Sequence, residues 1–501
     1  GLGVSISVGN ESDIDIADGI KALAELDEIR AIAIVMETVR DGQRFLDAIS
    51  AARAAGKPIV VCRLGASEHG RAMTATHTGA MARPAVVLDG VLASLGIPMA
   101  ETPGELFDVA DVMAHAHATS GRRIGIVTHS GGVAILLSDL AERHGLELPQ
   151  PSPAMVADLG DLLEHGVASN PLDMGGIIGE ASRFGAVVGR FSDEYDIVLA
   201  VSTAHPPAHT AERVETLVES AQSAVHLWMA GDVGAHGLEA LHEAGLPVTT
   251  EPRSAIRALA GLTSPTPRPD SFSIGLGRIG PGTPMDESAS KRTASEWGIA
   301  IPRGEVAGSA EQAAAIAGGL GATVVVKVVS PDISHKTEVE GIETGVEASD
   351  AAAAFTAVTS RASRHRPEAQ ILGALVEEQI RGFEVIVGAI TDPVFGPMML
   401  VGMGGIAAEG FDPVMGLVPR TPAQATKLIE RTSALATALP RIHPRAADLL
   451  SEAIVSLGRG FVDSDLIEID INPLVWSGTE WVALDALAVT AARTQHEEGT
   501  S

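Results

Sequence analysis

The chain has 501 residues, too many for a single hydrophobic core, and at roughly 100–200 residues per domain it divides into about three. Lys and Arg number 35 against 64 Asp and Glu, a formal charge of −29, which argues against a nucleic acid or an anionic membrane as partner, because both need clustered basic charge. A nucleotide needs only a local pocket and is not excluded. Apolar residues make up 46% and charged residues 20%, the balance of a soluble globular protein. Cys62 is the single cysteine, so neither an intramolecular disulfide nor a cysteine-based metal site is expected, and the reading is a reducing, cytoplasmic compartment. No uninterrupted apolar run reaches the ~18 residues of a membrane span. The chain opens Gly1-Leu2-Gly3-Val4-Ser5, without the basic segment of a signal peptide and without an initiator methionine, so a processed, truncated or fragmentary chain is expected.

Residues 1–120 alternate short apolar runs with helical patterns. Ala31–Met36 reads as a buried parallel strand, Gly42–Ala55 as a helix and Lys57–Cys62 as the next strand. Residues 121–262 repeat the rhythm. Arg123–Val127 is a strand, Thr128-His129-Ser130-Gly131-Gly132 a tight turn and Val133–His144 a helix, with further strands at Asp196–Ser202 and Val225–Ala230. This βαβ order predicts two doubly wound α/β domains. They read as copies of each other: Gly96-Ile97-Pro98 to Thr102-Pro103 leads into a helix from Gly104, and Gly245-Leu246-Pro247 to Glu251-Pro252 leads into a helix from Arg253. The first copy lacks counterparts of the second copy's opening strand and helix, so the expectation is that this material precedes Gly1 or lies in another chain.

Residues 263–284 are rich in proline and glycine and have no period, which marks a linker. Residues 285–501 are of different, α+β character. Asp286–Trp297 and Ala446–Arg459 read as helices. Thr323–Val329, Gln370–Glu377, Glu384–Ile390, Leu466–Leu474 and Trp481–Leu484 read as strands.

Several residues stand out against this frame. His77 and His335 each sit in a small, polar, glycine-punctuated or proline-punctuated loop after a β-branched run, which suits a nucleophile that meets phosphate; a loop histidine without a role is the plainer reading. Glu37 ends a strand expected beside the strand ending near Arg63, so a carboxylate there can orient an imidazole at the carboxyl edge of the sheet. Lys327 lies inside a valine-rich strand, either as a charge for nucleotide phosphates or as an edge-strand lysine reaching solvent. Asn472 and Asp485 fall at the ends of neighbouring strands, an arrangement that suits Mg²⁺ or ordinary turn chemistry. Ser130, Gly131 and Gly132 open a helix, where exposed N–H groups and the helix dipole stabilise phosphate, or simply close a βα turn.

Together these segments resemble the ADP-forming acyl-CoA synthetases, relatives of succinyl-CoA synthetase, over essentially the whole chain. The resemblance is carried by Ser7–Asp15, the Gly65–Ala80 loop with His77, Asn170-Pro171-Leu172-Asp173, Lys327–Lys336 with His335, Thr391–Pro397 and Asn472-Pro473-Leu474. Glu37 matches the glutamate that supports the first histidine. The chain departs from the family at Glu340-Gly341, where Gly-Gly is usual, at Ala82-Arg83-Pro84, and at Gly416, where arginine is common. The resemblance also leads one to expect that the family's CoA-binding domain is absent from these 501 residues.

The resemblance implies two flavodoxin-like ligase domains followed by an ATP-grasp domain. It implies ATP/ADP, Mg²⁺ and CoA as cofactors and co-substrates, a small carboxylic acid as substrate, and a homodimer. ATP would lie on Lys327, with Asn472 and Asp485 holding Mg²⁺ and the hinge Glu377-Glu378-Gln379-Ile380 holding adenine. His335 would take the γ-phosphoryl group and pass it to His77, held by Glu37; the acid would become an acyl phosphate, which CoA cleaves. Without the CoA-binding domain this polypeptide alone is not expected to complete that last step. The competing readings are a non-catalytic or regulatory nucleotide-binding relative, and a carboxylate–amine ligase that would leave the first two domains unexplained.

Overall fold

The computed structural model describes residues 2–65, 67, 69, 85–119, 121–160, 162–163, 167–175, 181–203, 209–263, 267, 269–272, 280, 282–321, 323–333, 336–405 and 413–491. His77, His335 and the Ala82-Arg83-Pro84 stretch lie outside the described residues. The chain divides into two compact units, Gly1–Ala85 with Leu95–Pro269, and Val86–Ser94 with Asp270–Ser501.

The first unit holds two parallel sheets. Strands β1 (Ile32–Met36), β2 (Ile59–Arg63) and β3 (Met99–Ala100) pair in that order. Strands β4 (Ile124–Thr128), β5 (Leu172–Asp173), β6 (Ile197–Thr203), β7 (Val225–Met229) and β8 (Val248–Thr249) pair in the order β5-β4-β6-β7-β8. The chain therefore leaves β4 in both directions, which is the doubly wound topology. Interior strands β4 and β6 are apolar along almost their whole length because both faces are covered; β1, an edge among the described strands, buries only Ile32, Ile34 and Met36.

Helices Pro103–His115 and Pro252–Thr263 close the two stretches that read as copies in the sequence. They pack on each other, and one core joins Val60, Cys62 and Val109 to Ile126, Leu199 and Ile256. Both begin with proline in the first turn, where the missing N–H costs nothing, and Thr102 caps the first by accepting from Glu105 N. Arg257 on the second helix donates to Glu105 at 2.7 Å and to Glu101 at 3.3 Å, which ties the copies together.

The second unit holds two antiparallel sheets. Strands β10 (Gly304–Ala307), β11 (Val324–Val329), β12 (Ile342–Val346) and β13 (Gly373–Glu378) pair in the order β10-β13-β11-β12, and helices Ala310–Leu320 and Ala351–His365 pack on them around Ala313, Val324, Val326 and Val358. The larger sheet runs β16-β15-β14-β17-β19-β9, from β9 (Gly282–Pro284), β14 (Phe383–Asp392), β15 (Gly396–Met403), β16 (Val414–Leu417), β17 (Leu466–Trp476) and β19 (Ala486–Ala491), with β18 (Trp481–Ala483) on β17. Helix Ala446–Val462 buries Leu450, Ile454 and Phe461 against it. Gly282–Pro284, within the stretch read as a linker, is an edge strand on β19, the one kind of place where a sheet tolerates proline. Helix segment Val86–Ser94 also belongs to this unit. Gly90 lies so close to the Met415 carbonyl that a side chain would collide, and Leu417 N donates to Ser94 Oγ at 3.0 Å.

Two family departures acquire physical meaning here. Glu340 has φ 51, a left-handed conformation in which glycine is unstrained and other residues are not. Its side chain is exposed, and its carbonyl accepts from Arg361 Nε at 2.7 Å. At Gly416 a Cβ would crowd Ser94 Oγ and Leu428, with the Arg431 guanidinium beside them, so a larger residue needs those side chains to shift. No helix among the described residues is long and apolar enough to cross a membrane.

Candidate functional site

Strand β11 is interior, flanked by β13 and β12, so Lys327 does not reach solvent along a sheet edge; it is 7% exposed. Its ammonium is 2.6 Å from Glu377 Oε1 and 3.1 Å from Glu287 Oε1, and donates to the Leu484 carbonyl at 2.6 Å. Glu287 is the first residue of helix Glu287–Glu296, capped by Asp286 through Ala289 N. Lys291 lies one turn on, its ammonium 2.7 Å from Glu287 and 2.7 Å from Glu377. A third ammonium arrives from the turn Lys336–Val339: Lys336 Nζ is 2.8 Å from Glu287 Oε2 and 3.8 Å from Asp485 Oδ2.

Three ammonium groups thus share two buried carboxylates, with Asp485 at the rim. Burial alone would raise the Glu287 carboxyl, but Lys327, Lys291 and Lys336 hold it well below the usual range. Burial alone would likewise lower the Lys327 ammonium, and Glu287, Glu377 and Asp485 hold it above its ordinary value. Asp485 goes the other way, its carboxyl raised by burial and by Glu287 against the pull of the lysines. Asp470 on β17 is pushed up to about 6 by burial, Glu468 and Asp485. Unpaired cations would not persist in such a place; matched with carboxylates, they make a fixed charge field.

The Asn472 amide N–H donates to the Asp485 carbonyl at 3.2 Å, so the two sequence-predicted metal ligands are neighbours. Among the described residues no three His, Cys, Asp or Glu side chains converge as a metal cage. One carboxylate and one amide oxygen, both hard donors, fit Mg²⁺, which keeps waters and shares phosphate oxygens rather than demanding a full protein shell.

Two side chains of the proposed adenine hinge are taken up in ion pairs. Glu377, in β13 and 3% exposed, points its carboxylate at Lys291 and Lys327. Glu378 is held by Arg303 at 2.8 Å. Gln379 N donates to the Thr323 carbonyl at 3.0 Å. The hinge side chains at 377 and 378 therefore serve ion pairs. Glu287, Lys291 and Lys336 were given no role from the sequence. Helix Glu287–Glu296 buries Glu287 and Lys291 one turn apart, a placement that only the structure reveals.

In the first unit, Glu37 follows β1, and β1 pairs in parallel with β2 so that Met36 faces Arg63. The Leu64 amide donates to the Met36 carbonyl at 2.8 Å, which keeps the ends of both strands together. Ser130 caps helix Gly131–Arg143, with Val133 N donating to its Oγ at 3.4 Å. This turn follows β4, where the strand order reverses. Beside it the His129 ring stacks on Phe184 with centroids 4.9 Å apart, and Arg213 lies 3.2 Å from His129 Nε2 and over the Phe184 face at 4.5 Å. Burial pushes the Arg213 guanidinium down to about 10, against Glu212. This basic corner was not read from the sequence either.

Residues 1–113 match the model of a succinyl-CoA ligase like flavodoxin domain, and residues 281–489 that of an ATP-grasp domain. A trans-feruloyl-CoA synthase from an unknown prokaryotic organism is 30% identical over 520 residues, covering 96% of this chain and 72% of that protein. An ADP-forming acetate–CoA ligase I of Archaeoglobus fulgidus is 28% identical over 502 residues, covering 95% of this chain and 72% of that protein. The solved dinucleotide-forming acetyl-coenzyme A synthetase 1 of Ca. Korarchaeum cryptofilum, in complex with coenzyme A and Ca-AMPCP, is 28% identical with a TM-score of 0.40, over 42% of this chain and 93% of that one. The chain belongs to the ADP-forming acyl-CoA synthetases and is an ADP-forming acid–CoA ligase.

Proposed function

We propose that the chain carries a phosphoryl relay from ATP to a carboxylic acid through His335 and then His77. The observation that supports this most is the junction of the Lys327–Glu287–Lys336 cluster with the Asn472–Asp485 pair, one residue along the chain from His335. Lys327 and Lys336 supply positive charge for the triphosphate. Asn472 and Asp485 would hold Mg²⁺, which when bound neutralises phosphate charge. A His335 ring nitrogen attacks the γ-phosphorus, and the bond to the β-bridging oxygen breaks, releasing ADP. The phosphoryl group passes to His77, which Glu37 orients. A carboxylate oxygen of the acid then takes phosphorus from His77, giving an acyl phosphate and a free imidazole. The CoA thiolate attacks the acyl carbon and phosphate leaves with the bonding pair. The helix N-terminus at Ser130, Gly131 and Gly132 stabilises the phosphoryl charge in the ligase site. A covalent carrier keeps the reactive acyl phosphate away from the nucleotide.

The test is labelling with γ-³²P ATP, followed by acid and base treatment. Acid-labile, base-stable label on the chain is expected, lost in His335→Ala and retained on His335 in His77→Ala. An unlabelled wild-type chain overturns the phosphohistidine reading and favours a non-catalytic relative. Full labelling of His335→Ala removes the first station and leaves direct transfer to His77.

A further inference from the structure

The three lysines of the cluster are not held alike. Lys291 and Lys327 each touch both Glu287 and Glu377, and Lys327 also donates to the Leu484 carbonyl. They are anchored by a helix and by two neighbouring interior strands. Lys336 is carried on the short turn Lys336–Val339 and its ionic contacts among the described residues are Glu287 at 2.8 Å and Asp485 at 3.8 Å. It also lines a small cavity with Asp286, Glu287, Ser330, Pro331 and Ile333. Lys336 thus makes the longest contact of the cluster, 3.8 Å to Asp485, and has an open space beside it.

Asp485 is also the carboxylate that a divalent cation would take with Asn472. A dication there and an ammonium on the same carboxylate repel one another unless a further anion lies between them. A nucleotide's terminal phosphate is such an anion, since it reaches past the metal and offers free oxygens. We infer that Lys336 is a terminal-phosphate-directed residue, parked on Glu287 in the unliganded chain and transferred to the γ-phosphate when the metal–nucleotide arrives. Glu287 is then a positioning residue: it keeps Lys336 beside Asp485 while Lys291 and Lys327 keep its own charge in place.

The inference rests on the nucleotide reading above and adds a consequence to it. Lys336 follows His335 directly in the chain, so the side chain that would distinguish a triphosphate from a diphosphate is the sequence neighbour of the proposed nucleophile.

The experiment is calorimetric titration of the whole chain with Mg²⁺ and either a non-hydrolysable ATP analogue or ADP. For Lys336→Met the expected result is at least a tenfold weaker triphosphate analogue with ADP changed less than threefold. Lys336→Arg should keep both within threefold of the wild type. Equal weakening of both nucleotides, or no weakening of either, overturns the assignment. If the Met variant does not fold, Lys336→Gln, which can still donate to Glu287, carries the same two titrations and the same criteria. A wild-type chain that binds neither nucleotide defeats the nucleotide reading itself, and a wild-type chain that binds both, beside a variant that does the same, defeats only the role of Lys336. Amide exchange across 336–339 provides a second readout: protection should differ between Mg-triphosphate and Mg-ADP in the wild type, and identical protection counts against the transfer.

Discussion

The backbone amide of Asn472, inside β17, donates to the carbonyl of Asp485, between β18 and β19, at 3.2 Å, which fixes two residues thirteen positions apart as neighbours. Backbone pairing sets their spacing, so neither side chain has to be immobilised by a third residue before a cation arrives. Asp485→Ala should weaken Mn²⁺ binding in the presence of ADP by about tenfold or more, as expected when a hard-cation site loses its one carboxylate. Paramagnetic resonance titration of free Mn²⁺ measures this directly. An unchanged Mn²⁺ affinity would place the metal elsewhere.

Lys291 makes a different point about the same cluster. It is buried, touches Glu287 and Glu377, and lies too deep to be the first contact of a ligand. Lys291→Met removes one of three cations and leaves Glu287 and Glu377 undercompensated, which costs about 3–5 kcal/mol by the rule for breaking a buried pair from one side. The urea midpoint of the second unit should fall accordingly. Arg303→Ala is the control, because Arg303 pairs with Glu378 at the surface, where solvent screens the attraction; its midpoint should stay where it is. Equal midpoints for the two variants would mean that the cluster is solvated and contributes little.

The parts of this arrangement that could be read in the sequence are those with a local pattern. The strand around Lys327 announced itself as a valine run and is one, whereas Asn472 and Asp485, read as the ends of two apolar strands, lie inside β17, which runs on to Trp476, and between β18 and β19. The βαβ rhythm likewise gave the parallel sheets, because strands buried on both faces are continuous apolar runs. The counter-ions were not legible. Glu287, Glu377 and Lys336 come from a helix, a strand and a turn separated by tens of residues, and nothing local distinguishes a buried glutamate from a solvated one. Glu377 shows the limit most clearly: its carboxylate turns inward to two lysines, and nothing in its local sequence marks that. Short strands such as β10 and β16 were also missed, since four residues in antiparallel pairing carry too little alternation to stand out. At Glu340 the sequence signalled a departure from glycine, but only the φ of 51 shows that the backbone there asks for one.

His226 supplies a pH dependence of stability that is independent of the ligase chemistry. It lies in β7, 1% exposed, with Nε2 donating to the Ala221 carbonyl at 3.1 Å and Nδ1 without a hydrogen-bond partner. Burial pushes its imidazole down from 6.5 to about 4, the Ala221 carbonyl opposing weakly. The native state therefore holds it neutral where the unfolded chain would bind a proton. A folded value below the unfolded one means that stability is complete above pH 6.5 and is lost as the pH falls from 6.5 towards 4. The loss attributable to this residue is about 3 kcal/mol over that window, since each tenfold change in proton affinity is worth about 1.4 kcal/mol. His226→Gln, which keeps a donor for Ala221 but does not titrate, should flatten that part of the stability profile while leaving stability near pH 8 within about 1–2 kcal/mol of the wild type. Urea unfolding at half-unit intervals between pH 4 and pH 8 measures both curves. Parallel curves for wild type and variant would show that the acid sensitivity of the first unit arises from its carboxylates and not from this histidine.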